Sequence, residues 1–181
     1  MADKKAQPTK VITGKVRFSY AHVFKPWAGG DEQEPKFSVC LLIDKKDKAT
    51  LKKIRDAVEA VKAASATVWG GKVPANLKLP LRDGDVERED QDEYKGCYFL
   101  NASSRTPPGV VDAQCDPIID LNEFYSGCYG RASINFYAFS ASGNKGVACA
   151  LNHLKKTEDG ENLGGTRSKP EDDFADEDDL L

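Results

Sequence analysis

From Cys128 to Ser140 the chain alternates residue by residue, with Ala132, Ile134, Phe136 and Ala138 on one side and Tyr129, Arg131, Ser133, Asn135 and Tyr137 on the other. A period of two sustained over that length describes a β-strand with one buried face. Strand signals resume at 146–155, after Ser142-Gly143-Asn144-Lys145, a turn-forming group that suits a hairpin. Upstream, Ile12, Val16, Phe18 and Tyr20 share one face of a strand spanning 10–24, and Lys15, Arg17 and Ser19 share the other. Phe37, Val39, Leu41 and Ile43 repeat the pattern, and shorter signals stand at 97–102 and 110–115. Between these strands the period changes once. Leu51, Ile54, Val58 and Val61 form a helical seam behind the capping residue Asp47, with Gly70-Gly71 as its expected end. The Pro-containing stretch 73–95 reads as a long irregular excursion. Several short strands with one substantial helix imply a small β-barrel or a sandwich, which periodicity alone does not separate.

Charge is segregated along the chain. Residues 171–181, EDDFADEDDLL, hold seven acids and no base, and the net charge of −3 becomes +4 without them. Residues 83–93, DGDVEREDQDE, hold seven more acids, and leaving them out as well gives +10. The expected organisation is a mobile arm at 1–9, a basic domain at 10–156, and a polar linker with an acidic tail at 157–181. A like-charged block at a terminus repels itself and commonly serves as an interaction arm.

Several functions are disfavoured. No apolar run approaches the ~18 residues that span a bilayer, and MADKKAQPTK lacks the apolar core of a secretory signal. The five cysteines form no C-x-x-C pair, which favours reduced thiols and a cytoplasmic setting. Gly71-Lys72 fails as a phosphate-binding loop, because Ala66 and Val73 stand where that motif needs glycine and a hydroxyl residue. His22 and His153 lack metal-ligand spacing and read as structural. The acids at 83–93 lack the rigid apolar framework of a magnesium site. No catalytic residue, metal or cofactor is expected.

The odd face of 128–138 is different in kind. Two tyrosines about an arginine offer flat rings and a cation together, where an ordinary solvent face holds Lys, Glu and Thr. Rings stack on unpaired bases of any sequence, worth roughly 1–3 kcal/mol per base, and arginine adds a phosphate contact or stacks itself. Tyr129, Arg131 and Tyr137 are therefore candidate nucleic-acid contacts. Tyr125, Lys15 and Arg17 on the first strand, Lys25 and Trp27 in a Gly-rich loop, and Tyr98 or Phe99 extend the surface. Trp69, closing the helix, is assigned to the core.

The blocks KVITGKVRFSYAHVF, WGGKVPANLKLPLRDGD, FYSGCYGRASINFYAFSASGNKGVACALNHLKK and EDDFADEDDLL, in that order, closely resemble a group of bacteriophage single-stranded DNA-binding proteins. The resemblance implies an OB-fold, a Greek-key barrel, here with one substantial helix and long loops. It implies sequence-nonspecific coating of unpaired strands in replication and recombination, within the host cytoplasm. It also implies that the tail (Asp172, Asp173, Phe174, Asp176, Glu177, Asp178, Asp179, Leu180 and Leu181) recruits partner proteins. Related tails commonly finish on phenylalanine, whereas here Phe174 is internal and the chain ends Leu180-Leu181. A homodimer is left open. The rival readings are an OB-like protein-interaction module using the same aromatic face and a metal-dependent nuclease using the acidic loop.

Overall fold

A computed structural model describes residues 9–28, 34–120, 122–141 and 143–163. The strands are β1 Lys10–Ile12, β2 Val16–Trp27, β3 Lys36–Asp44, β4 Arg82–Asp83, β5 Cys97–Ser104, β6 Gly109–Val111, β7 Tyr129–Ala141 and β8 Asn144–Glu158. Most of the expected N-terminal arm and the whole acidic tail, Asp172 to Leu181, lie outside the described residues.

Strand pairing follows the order β1-β7-β2-β3-β5-β8-β6, with β7 pairing β8 as well. That second pairing closes β7, β2, β3, β5 and β8 into a five-stranded barrel. All its ladders are antiparallel except β5 to β8, a single parallel bridge between Ser103 and Ala150. The OB-fold is such a five-stranded Greek-key barrel. The alternation reads directly into its interior: Phe18, Leu41, Ile43, Leu100, Ala102, Ile134 and Phe136 are buried in one cluster.

One helix, α1 at Lys48–Ala64, plugs the barrel and adds Leu51, Ile54, Ala57, Val58 and Val61 to the same core. Asp47 caps it, its carboxylate accepting from the Thr50 backbone N–H at 3.2 Å. It ends six residues before the expected Gly70. A 3₁₀ turn at Ala66–Trp69 takes over, and Gly70, at φ +83°, closes that turn. The β-branched Thr67 and Val68 favour the break. The tighter turn also lets the buried Trp69 indole donate to the Phe139 carbonyl at 3.0 Å.

Three further expectations need correction. Ile12 and Tyr20 do not face the core: they are 41% and 56% exposed, and Val11 is buried instead. The residues between β1 and β2 shift the alternation at Ile12, and a bulge between Ser19 and His22 shifts it at Tyr20, whose φ is +46°. The second correction is that β3 buries both faces. On its outer side Cys40 and Leu42 join Phe99 and Tyr94 in a second, smaller cluster. Third, the stretch 73–95 is not wholly irregular. It contains β4, a one-turn helix α2 at Gly84–Glu87 and a 3₁₀ turn at Asp92–Tyr94, which together carry the Tyr94 ring onto the outside of the barrel.

Candidate nucleic-acid interface

The outward side chains of β2 define a line from its first residues to its last. At the near end Arg17 pairs in register with Tyr129 of β7. The Arg17 guanidinium carbon stands 5.3 Å from the Tyr129 ring centroid, and the Lys15 ammonium lies 5.1 Å from the same ring. Both cations lie over the Tyr129 ring, and Lys15 also pairs with Glu158 at 2.6 Å, so the patch as it stands presents positive charge more than a bare ring. Beyond the bulge the line continues through Tyr20 and His22 to Trp27. The His22 and Trp27 rings stack at 5.2 Å with 11° between their planes. Burial lowers the His22 pKa below its usual 6.5, so the imidazole is a neutral stacking partner near pH 7. Lys25 is exposed on the same strand end.

Two recesses flank Glu93 along this line. One, of about 340 Å³, is lined by Lys15, Arg17, Leu42, Asp44 and Tyr129 among others. The other, of about 420 Å³, is lined by Ser19, Tyr20, His22, Ser126 and Leu163 among others. Glu93 contributes to both.

The expected site residues divide accordingly. Lys15, Arg17, Lys25, Trp27 and Tyr129 lie along β2 and its junction with β7. Trp27 is the last residue of β2, paired with Lys36, rather than part of a loop. Arg131 is exposed on the same face of β7, but its Nε donates to the Thr13 carbonyl at 2.8 Å and so braces the turn between β1 and β2. Tyr137 is 43% exposed. It lies eight residues further along β7, roughly 26 Å from Tyr129 at about 3.3 Å per residue, and so outside this cluster.

Phe99 is a correction. It points outward from the barrel, but Tyr94 packs edge-on against it at 5.3 Å and the Arg82 and Arg88 guanidinium groups sit over its ring, leaving it 1% exposed. Tyr98 points the other way, half-buried against the α1 side with Lys45 and Arg55 over its ring. Tyr125 is held by its own chain: its hydroxyl donates towards Asp159 at 2.9 Å, and Lys156 covers its ring.

Two residues of the line, Tyr20 and His22, were not among the expected contacts. The sequence did not mark them, since Tyr20, His22 and Phe24 continue the even positions of Val16 and Phe18, and only the burial of Val23 shows the phase changing. That change of phase within one strand marks a bulge, and a bulge redirects side chains.

The acids of 83–93 are largely spoken for. Asp83 and Asp85 both pair with Lys45 at 2.8 and 2.7 Å, Glu87 pairs with Arg82, and Asp92 pairs with Lys95. Among the described residues no group of three His, Cys, Asp or Glu side chains is placed to hold a metal ion.

The model of the Enterobacter phage Enc34 ssDNA-binding protein family matches residues 9–181. The chain belongs to that family. The Enc34 family comprises DNA-binding proteins rather than enzymes. Among solved structures, the bacteriophage Enc34 single-stranded DNA-binding protein in complex with ssDNA is 29% identical, with a TM-score of 0.79 over 87% of this chain and 91% of that one. The bacteriophage T7 single-stranded DNA-binding protein gp2.5, at 15% identity and a TM-score of 0.66, shares the fold. A putative protein p50 of Acyrthosiphon pisum secondary endosymbiont phage 1 is 28% identical over 95% of this chain and 98% of its own length. Among the described residues no helix is long and apolar enough to cross a membrane.

Proposed function

We propose that this Enc34-family protein binds single-stranded DNA without regard to sequence, along the outer face of β2. Lys15, Arg17 and Lys25 meet the phosphates, while Tyr129, Tyr20 and the His22–Trp27 stack receive bases. The observation that carries this reading is the line of rings and cations itself: Tyr20 and Trp27 are 56% and 55% exposed, far above what a core or a loop lid would leave them. No bond is made or broken. Binding draws unpaired strands out of hairpins by mass action.

The experiment is optical. The chain has two tryptophans, and Trp69 is 4% exposed, so quenching of the emission by oligo-dT reports stacking at Trp27. Titration should quench the wild type and leave a Trp27→Phe variant unquenched. Quenching that persists in the variant defeats the assignment of Trp27.

The acidic tail, in this reading, recruits replication and recombination proteins and competes with DNA for the basic face through a linker that keeps its effective concentration high. The protein works in the host cytoplasm, on a domain near 10–156 with the tail appended; a homodimer is compatible with it. Deleting 171–181 should tighten oligo-dT binding, most of all at low salt, and equal affinity at every ionic strength defeats the competition.

A further inference from the structure

The chain beyond β8 folds back over the site just described. The Tyr125 hydroxyl is the hub: it contacts Asp159 at 2.9 Å and the Gly160 carbonyl at 3.0 Å, and it accepts from the Gly160 N–H at 3.1 Å. Lys156 holds Asp159 at 2.6 Å from the other side. The Glu161 carbonyl accepts from Arg17 Nη2 at 2.9 Å, while Arg17 Nε donates to the Gly127 carbonyl at 3.1 Å. Finally the Leu163 N–H donates to the Ser126 carbonyl at 2.7 Å, and the Leu163 side chain packs on the outer cluster of Cys40, Leu42, Tyr94 and Phe99.

This crossing requires glycine. A Cβ on Gly127 would stand 1.8 Å from the Glu161 carbonyl oxygen, and one on Gly160 would stand 2.1 Å from the Gly127 carbonyl oxygen. Both lie well inside contact distance, so the two backbones touch directly.

We infer that residues 159–163 are a strap that closes over Arg17 and must lift before a DNA strand seats along β2. The inference rests on the reading of β2 as the DNA face. Arg17, whose guanidinium stands 5.3 Å from the Tyr129 ring centroid, spends two N–H groups on carbonyls, one of them on the strap. A phosphate takes those donors far more strongly than a neutral carbonyl does, because the bond becomes charge-assisted on both sides. Leu163 forms one wall of the recess that contains Tyr20 and His22, so the strap borders the space that a base would enter. Strap and strand therefore compete, and by linkage each weakens the other's binding constant by the same factor. The strap leads directly to the tail, whose first acid, Glu171, is eight residues past Leu163.

The test uses the full chain, with the tail intact in every variant so that its competition is common to all. Amide hydrogen exchange across 159–163 is measured with and without saturating oligo-dT, and oligo-dT affinity is measured for wild type, Gly160→Val and Leu163→Ser. DNA should speed exchange at the Leu163 and Gly160 amides, the opposite of the protection a contact surface acquires. Loosening the strap should tighten binding about threefold to tenfold, because the apparent affinity scales with the fraction of molecules already open. Slower or unchanged exchange on adding DNA overturns the inference, as does unchanged or weaker binding by the variants. If Gly160→Val does not fold, Leu163→Ser and the wild-type exchange decide. Failure of the wild type to bind oligo-dT at all would remove the β2 reading itself, and the strap with it.

Discussion

Tyr20 holds a backbone conformation that non-glycine residues seldom adopt, at φ +46°. Its ring gains no burial in return. Such a placement is consistent with a contact residue, and Tyr20→Ala and Trp27→Ala should each weaken oligo-dT binding by roughly 1–3 kcal/mol while leaving the thermal midpoint almost unchanged. A loss of stability without a loss of affinity would return these rings to a packing role. Arg17→Ala should weaken binding and flatten the plot of log K against log salt by ~0.7. Phe99→Ala makes the contrast, since its ring is enclosed: the expected cost is about 3–5 kcal/mol of stability, read from denaturant unfolding. The thiols separate in the same way. Burial pushes the Cys40 thiol up to about 11, with the Tyr94 hydroxyl pulling weakly back, so at pH 8 it is almost wholly protonated and unreactive. Cys115 is exposed and should react with iodoacetamide first, ahead of Cys40, Cys128 and Cys149.

At the scale of elements, alternation and the Asp47 cap sufficed to locate β2, β3, β5, β7, β8 and α1, because each buries a face against one core. What they could not convey was which outward residues stay outward. Nothing in the local pattern of 97–104 tells Phe99 that Tyr94 covers it, since that contact depends on how the 82–95 stretch returns over β3 and β5. The phase change after Phe18, which marks the bulge that exposes Tyr20, was not legible, because Tyr20, His22 and Phe24 continue the even positions. Nor was the return of 159–163, because a polar sequence that reads as linker is held there mainly by backbone carbonyls. Its pH dependence follows from Asp159. Hydrogen bonds from Lys156 and then Tyr125 hold that carboxyl below its usual 3.8. A depressed carboxyl stabilises at pH values above the unfolded value and loses that contribution as pH falls through the lower, folded one. The strap should therefore stay pinned from neutrality down to about pH 4 and loosen only below, as followed by the Gly160 amide resonance. Loosening between pH 7 and 5 would show that Asp159 is not its anchor.

Over the whole molecule, the sequence's charge separation acquires a geometry. The acids of 83–93 do not oppose the basic face as a free loop, since most are consumed by Lys45, Arg82 and Lys95. Glu93 alone among them lines both recesses along β2, so Glu93→Gln should tighten oligo-dT binding at low salt and leave it little changed at high salt, where screening has removed the repulsion. Equal effects at both salt concentrations would mean that the carboxylate acts by contact rather than by charge.

The barrel's circumference is uneven in strength. β7 and β8 share a ladder from Tyr129–Glu158 to Ala141–Asn144, whereas β5 and β8 meet in register only at Ser103 and Ala150. β2 and β7 share only two register pairs, Val16–Gly130 and Arg17–Tyr129, so the cylinder is thinly stitched at two seams. Any widening of the wall falls to those two seams, one opposite β2 and one at its near end, while the β7–β8 hairpin keeps its shape.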